Sequence, residues 1–218
     1  YTLDDLQALG EVLRKHPDIL IATDDMYEHI ALTDAKFVNI LNACPDLYPR
    51  TMVLNGVSKA YAMTGWSIGY AAGSENIITA MENVQSQSTS NPTSISQVAA
   101  ETALNGDQNC LAPMIKAFRE RHVFVVNELN KIAGVKCIMA GGAFYAFPDV
   151  RPVIATLHQR GTIKAATDVA LSEYLLEQSG VAVVPGSAFG SEGYIRLSFA
   201  TSMENLRSAL ERLTKALA

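Results

Sequence analysis

The chain has 218 residues, enough for one large or two small domains with a sizeable core. Hydrophobic residues make up 49% and charged residues 18%, the balance of a globular protein, and no apolar run approaches the roughly 18 to 20 residues of a membrane span. The formal net charge of −5 argues against a nucleic-acid-binding surface, which needs a basic patch, and the three widely spaced cysteines suggest neither a disulfide framework nor a zinc site. A reducing cytoplasm is the expected home, with no membrane and no nucleic-acid partner. His29, His122 and His158 have no ligand-like spacing, and no metal is expected.

In chain order, Thr2 with Asp5 three residues later makes a capping-box-like start, and Leu3, Leu6, Leu9 and Leu13 follow at helical spacing. His16-Pro17 predicts the helix end, because proline disfavours helix in the residue before it. An apolar strand over residues 19–23 comes next, then a long polar connection over 33–50, a strand over 52–54 and a second over 68–72. Ser74 is placed to cap a helix over 77–84. Residues 85–94 are polar without periodicity, and helices are predicted over 95–104 and 113–132, the latter with Met114, Phe118, Val125, Leu129 and Ile132 on one face and Gly134 as its stop. From residue 135 the pattern becomes α+β: strands over 135–139, 143–147, 181–184 and 194–200, with helices over 165–177 and 205–216. Gly106-Asp107-Gln-Asn109 punctuates two helices and sets a domain boundary near 107.

The chemistry gathers in one stretch, Asn55-Gly-Val-Ser-Lys-Ala-Tyr-Ala-Met-Thr-Gly-Trp66. Lys59 is the only charged residue between Arg50 and Glu75. A lysine held in a partly dry pocket has a depressed pKa, and its free amine attacks a carbonyl to form a Schiff base; a surface lysine on a Gly-rich loop is the plain alternative. Upstream, the strand over 19–23 runs into Asp24-Asp25-Met26-Tyr27-Glu28. An acid and a tyrosine at the carboxyl end of a buried strand stand where open α/β sheets bind their ligands. An aspartate there can keep a pyridine nitrogen protonated, and a tyrosine hydroxyl can hydrogen-bond a phenolate oxygen. With a Schiff-base lysine, these are the handles that pyridoxal phosphate takes from a protein. Arg196 lies in the apolar strand Tyr194-Ile-Arg-Leu-Ser-Phe199, a costly place for a guanidinium unless it meets an anion, whether a ligand's carboxylate or an acid of the chain itself.

With Ala22-Thr-Asp-Asp-Met-Tyr-Glu28, the lysine stretch, Gly141-Gly-Ala-Phe-Tyr145 and Tyr194-Ile-Arg-Leu-Ser-Phe199 in that order, the chain resembles the class I/II aminotransferases of the fold-type I pyridoxal phosphate enzymes. It is most similar to the bacterial aspartate aminotransferase subgroup, and the resemblance spans nearly the whole chain. The resemblance implies an α/β fold: the C-terminal part of the large cofactor-binding α/β domain over 1–107 and a small α+β C-terminal domain over 108–218, preceded in relatives by a substantial N-terminal portion. It implies pyridoxal 5'-phosphate as cofactor and Lys59 as catalytic residue, linked to the cofactor and moving the substrate's α-proton. Asp24, three residues before the tyrosine, is assigned to the ring nitrogen, with Asp25 as its outward neighbour. Tyr27 is assigned to the phenolate oxygen, Ser58 to the phosphate and Arg196 to the substrate α-carboxylate. Residues 85–94 are implied to lie near a dimer-related active site, and a homodimer is implied. Eight residues after the lysine the family carries a phosphate-gripping arginine; here Ser67 stands instead. The expected reaction is transamination between an L-amino acid, aspartate first, and a 2-oxo acid, 2-oxoglutarate first. Alternatives are a β-lyase of the same fold, an aminotransferase-like sensor domain without catalysis, or a folded piece that binds no cofactor.

Overall fold

The computed structural model describes residues 1–217. The chain divides into two compact units, Tyr1–Pro113 and Met114–Ala218, with Ala218 itself outside the described residues. The architecture is α/β, with helices and short sheets in both units.

The first unit opens on helix α1 (Leu3–Arg14). Its capping box forms as the sequence predicts: the Asp5 N–H donates to Thr2 Oγ1 at 3.2 Å, and the Thr2 N–H donates to Asp5 Oδ2 at 2.9 Å. Leu6 and Leu13 turn inward, whereas Leu3 and Leu9 stay exposed. The inward pair packs on Ile40, Cys44 and Leu47, which lie in α2 (Ile40–Ala43) and the 3-10 turn Pro45–Arg50 that follows it. These elements occupy the region expected to be a polar connection. Gly10 is required there, because a Cβ on it would come within 2.2 Å of Cys44 Sγ. At the end of α1, Arg50 gathers three loose carbonyls, donating to Leu13, His16 and Ile19 at 2.6 to 2.8 Å. A cation among carbonyl oxygens at a helix C-terminus satisfies groups the helix leaves unpaired.

Strand β1 (Ile21–Asp24) pairs in parallel with β2 (Thr51–Gly56), from Ile21 opposite Thr51 to Asp24 opposite Leu54. On its other side β2 pairs antiparallel with β3 (Gly69–Ala72). Helices α3 (Glu75–Ser86) and α4 (Ser94–Asn105) follow, close to their predicted limits. The polar residues 85–94 form the end of α3 and the exposed link between the two helices.

Helix α5 (Leu111–Leu129) begins three residues before the division, and it buries Phe118, Val125 and Leu129 of the predicted face. Beyond it come β4 (Tyr145–Ala146), α6 (Arg151–Gln159), α7 (Asp168–Ser179), β5 (Val184–Pro185), β6 (Ile195–Ser198) and α8 (Met203–Leu217). Among the described residues of the second unit, β4, β6 and β5 make an antiparallel sheet in that order. Helix α8 buries Leu206, Leu210, Leu213 and Leu217, one stripe at helical spacing. Helix α6 is an addition to the sequence reading: Pro152 stands in its first turn, where a missing N–H costs nothing.

The predicted strand over 135–139 does not form. Backbone groups of Lys136 and Cys137 are taken by one isolated bridge and by a side chain. The Cys137 N–H donates to Asn130 Oδ1 and its carbonyl accepts from Asn130 Nδ2, both at 2.8 Å. Lys136 bridges to Asp149, and the Ala140 N–H donates to His122 Nε2 at 3.0 Å. With these groups satisfied, the segment gains nothing from a ladder. At 141–143 it is Ala143, rather than either glycine, that adopts the left-handed conformation, at φ 63°.

Candidate functional site

The parallel pairing of β1 and β2 decides where the candidate residues of the first unit stand. Both strands finish at the same edge of the sheet, and each runs directly into a turn. After β1 come Asp25 to Ile30; after β2 come Val57 to Ala62. Asp24 and Tyr27 belong to the first turn, Ser58 and Lys59 to the second. The carboxyl ends of adjacent parallel strands are where open α/β sheets place ligands.

Lys59 is half-buried, between buried Val57 and Ala60. Its turn is held by the Tyr61 N–H donating to the Val57 carbonyl and the Ala62 N–H donating to the Lys59 carbonyl, both at 3.3 Å. Among the described residues no carboxylate lies within salt-bridge distance of its ammonium. An unpaired lysine in a half-dry turn keeps its amine available for chemistry. Ser58 precedes it and is likewise half-buried. Close approach of the turns depends on Gly56, where a Cβ would meet the Ile68 carbonyl at 3.0 Å and Met26 Cε at 3.1 Å.

The two aspartates divide their labour, and the division corrects one expectation. Asp25 does not face outward: it is 5% exposed, accepting from Thr23 Oγ1 at 2.7 Å and Asn39 Nδ2 at 2.6 Å. Its partner Asn39 is the N-cap of α2, so Asp25 fastens the strand end to a neighbouring helix. Asp24 is the exposed one. It accepts the Met26 N–H at 3.2 Å through Oδ1, and Oδ2 has no partner among the described residues. Tyr27 is half-buried in the same turn, its carbonyl accepting from the Ile30 N–H at 2.8 Å. Nearby in sequence to the lysine, Tyr61 donates to Gln108 Oε1 at 2.7 Å, and burial pushes its phenol above the ordinary range.

Ser67, in the place of the family arginine, follows the 3-10 turn Thr64–Trp66 in the left-handed conformation, at φ 51° and ψ 50°, with its N–H donating to the Thr64 carbonyl. It is exposed.

In the second unit, Arg196 sits in β6 between two aromatic faces. Its Cζ lies 4.4 Å from the ring centre of Tyr145 and 4.3 Å from that of Phe189. No acid of the chain pairs with it among the described residues. The rings fix the planar guanidinium by cation–π attraction and leave its fork of donors uncommitted. Sequence reasoning quoted Tyr145 in a motif without giving it this role, and it missed Phe189 altogether. The sheet order β4-β6-β5 places Tyr145 on one neighbour of the Arg196 strand, and Phe189 closes the turn that follows the other.

The family model described as aminotransferase class I and II matches residues 1–213. The chain is 66% identical to an aspartate/prephenate aminotransferase of Nitrosomonas europaea over 217 residues, which is 100% of the chain and 55% of that protein. It is 49% identical to an aspartate/prephenate aminotransferase of Cereibacter sphaeroides, over 98% of the chain and 53% of the relative. The crystal structure of an aspartate aminotransferase from Rhizobium meliloti superposes with a TM-score of 0.91 at 46% identity, covering 100% of this chain and 54% of that one. The chain spans about half the length of the curated relatives it matches.

Proposed function

The chain belongs to the class I and II aminotransferase family, and on that premise we propose that its protein is a pyridoxal phosphate-dependent aminotransferase. The observation that carries the reading is the unpaired Lys59 on one turn and the exposed Asp24 with Tyr27 on the next, at the shared end of two parallel strands.

The donor set fits the cofactor. It offers an amine without a counter-ion, a carboxylate with one uncommitted oxygen, a phenol and a hydroxyl. Pyridoxal phosphate, when bound, supplies an aldehyde for imine chemistry and a ring that takes up electron density from the substrate's α-carbon. Asp24 would hold a proton at the ring nitrogen. Tyr27 donates to the phenolate oxygen. Ser58 donates to the phosphate, with Ser67 in the arginine's place supplying no charge. Lys59 Nζ would take the proton from the amino acid's α-carbon as general base and deliver it, as general acid, to the carbon of the cofactor's former aldehyde. Arg196 binds the substrate α-carboxylate through its open fork.

The donor we propose is aspartate and the acceptor 2-oxoglutarate. The names of the relatives at 66% and 49% identity favour prephenate as a second acceptor. The working form we propose is a cytoplasmic homodimer. A β-lyase on the same residues would break a different bond and need no acceptor, which gives the test. The protein is supplied with pyridoxal phosphate and aspartate, with and without 2-oxoglutarate, and products are separated by chromatography. Glutamate forming in step with oxaloacetate, and only when 2-oxoglutarate is present, is the expected result. Turnover of aspartate without any acceptor would replace this reading with the lyase.

A further inference from the structure

Two residues without a role so far, Asn55 and Glu28, join the turns that carry the others. Asn55, in β2, is 8% exposed, and both ends of its amide are engaged: Oδ1 accepts the Gly56 N–H at 2.7 Å and Nδ2 donates to Glu28 Oε1 at 2.8 Å. Glu28 follows Tyr27 directly in the turn after β1, where its N–H donates to the Asp25 carbonyl at 2.9 Å. Its Oε1 also lies 3.3 Å from Nε2 of His29, the next residue of the same turn. Main-chain pairing between the two segments ends one step earlier, with the Asp25 N–H donating to the Leu54 carbonyl at 2.8 Å. Past that bond, the main-chain hydrogen bonds donated by Glu28, Ile30, Tyr61 and Ala62 each close within their own turn. The Met26 side chain against Gly56 gives contact there but no direction. A hydrogen bond from a buried amide to a carboxylate gives both, and its loss strands a donor that water cannot easily reach.

We propose that the Asn55–Glu28 hydrogen bond is a positioning brace, fixing the turn of Asp24 and Tyr27 to the turn of Ser58 and Lys59 so that the cofactor-handling groups are set relative to one another. The proposal rests on the cofactor reading above for its purpose, and on geometry alone for the brace. The Thr23–Asp25–Asn39 bonds anchor the same turn to α2 from its other side. The turn after β2 has no such second anchor through Asn55, whose other bond is to its own neighbour Gly56. The brace therefore positions the lysine turn against a turn that is already held.

The test uses Glu28→Gln, which keeps the accepting oxygen, Glu28→Ala and Asn55→Ala, which each remove the bond, and the Glu28→Ala/Asn55→Ala double variant. Two readouts are taken. One is hydrogen–deuterium exchange over residues 25–30 and 57–62 without cofactor; the other is the rate constant for borohydride-trapped attachment of pyridoxal phosphate to Lys59. Glu28→Ala and Asn55→Ala each speed exchange in both turns and slow attachment by about tenfold, the size expected for one charge-assisted hydrogen bond. Glu28→Gln keeps the bond without its charge and falls between the wild type and Glu28→Ala, and the double variant is no slower than the slower single one. Loosening confined to the mutated turn, additive losses in the double variant, or a Glu28→Gln defect equal to that of Glu28→Ala would overturn the brace. If Asn55→Ala does not fold, the Glu28 pair decides alone, because Glu28 is partly exposed and its truncation leaves no cavity. Wild-type protein that never takes up pyridoxal phosphate at Lys59 undoes the cofactor reading, and hydrogen–deuterium exchange in the variants then decides the brace by itself.

Discussion

Replacing Arg196 by lysine separates recognition from folding, because Arg196 has ring partners but no acid partner. Its guanidinium lies 4.4 Å and 4.3 Å from the centres of Tyr145 and Phe189. Each face contributes about 0.5 to 1 kcal/mol at a half-exposed site. A lysine keeps the charge but cannot stack between two rings, nor present two parallel N–H groups to one carboxylate. For folding, the loss is bounded at about 1 to 2 kcal/mol and reduced by the packing of the lysine stem, since no buried carboxylate is left without its partner. For catalysis, one charge-assisted hydrogen bond to the substrate disappears, worth about 1.5 to 3 kcal/mol, or roughly ten- to a hundredfold in kcat/KM. The assay is steady-state transamination of aspartate at saturating cofactor, with urea denaturation in parallel. A donor whose α-carboxylate is converted to an amide serves as control, and with it the gap between wild type and variant should nearly close. A kcat/KM within about threefold of wild type for aspartate would refute the assignment, as would an equal loss with the amide.

Three further substitutions test other parts of the structure. Ser67→Arg places a charged donor where the family resemblance implies a phosphate-gripping arginine and should tighten pyridoxal phosphate retention by roughly ten- to a hundredfold, read by dialysis or fluorescence titration; unchanged affinity would show that the position does not reach the phosphate. His122→Leu removes the acceptor of the Ala140 N–H and should cost about 1 to 3 kcal/mol in urea denaturation. Burial holds the His122 imidazole below its ordinary value of 6.5, so the unfolded chain binds that proton more readily than the folded one. The wild type should therefore lose stability as pH falls from above 6.5 toward the lowered folded value, and His122→Leu should flatten that slope. Gly10→Ala gains about 1 kcal/mol of helix propensity, but its Cβ would meet Cys44 Sγ at 2.2 Å. Overpacking should win by about 1 to 2 kcal/mol, and Cys44→Ala in the same chain should recover most of the loss; a stabilised single variant would contradict the packing described.

The sequence was most readable where local rules act without competition. The Thr2–Asp5 box needs only near neighbours and forms where the pattern puts it, and the helix read over 205–216 is present within α8. Lys59 stood out by isolation, a property of the sequence itself, and the parallel strands bring its turn beside the one bearing Asp24 and Tyr27. The misreadings have distant causes. Asp25 is buried because Asn39, the cap of a helix too short to show periodicity, reaches back to it. Residues 135–139 have the composition of a strand, yet Asn130 takes both backbone groups of Cys137, which a ladder would have used. Phe189 reaches Arg196 because β5 and the turn after it lie beside β6, a pairing that no spacing in the sequence announces.

The central claim is that Lys59 is the cofactor lysine, and covalent trapping tests it most directly. Purified protein is mixed with pyridoxal phosphate, reduced with borohydride, digested and mapped by mass spectrometry. The account predicts an adduct confined to the peptide carrying Lys59, abolished in Lys59→Ala and weakened in Asp24→Ala. An adduct spread over surface lysines with no preference for Lys59, in protein of the same length as its relatives, would contradict it.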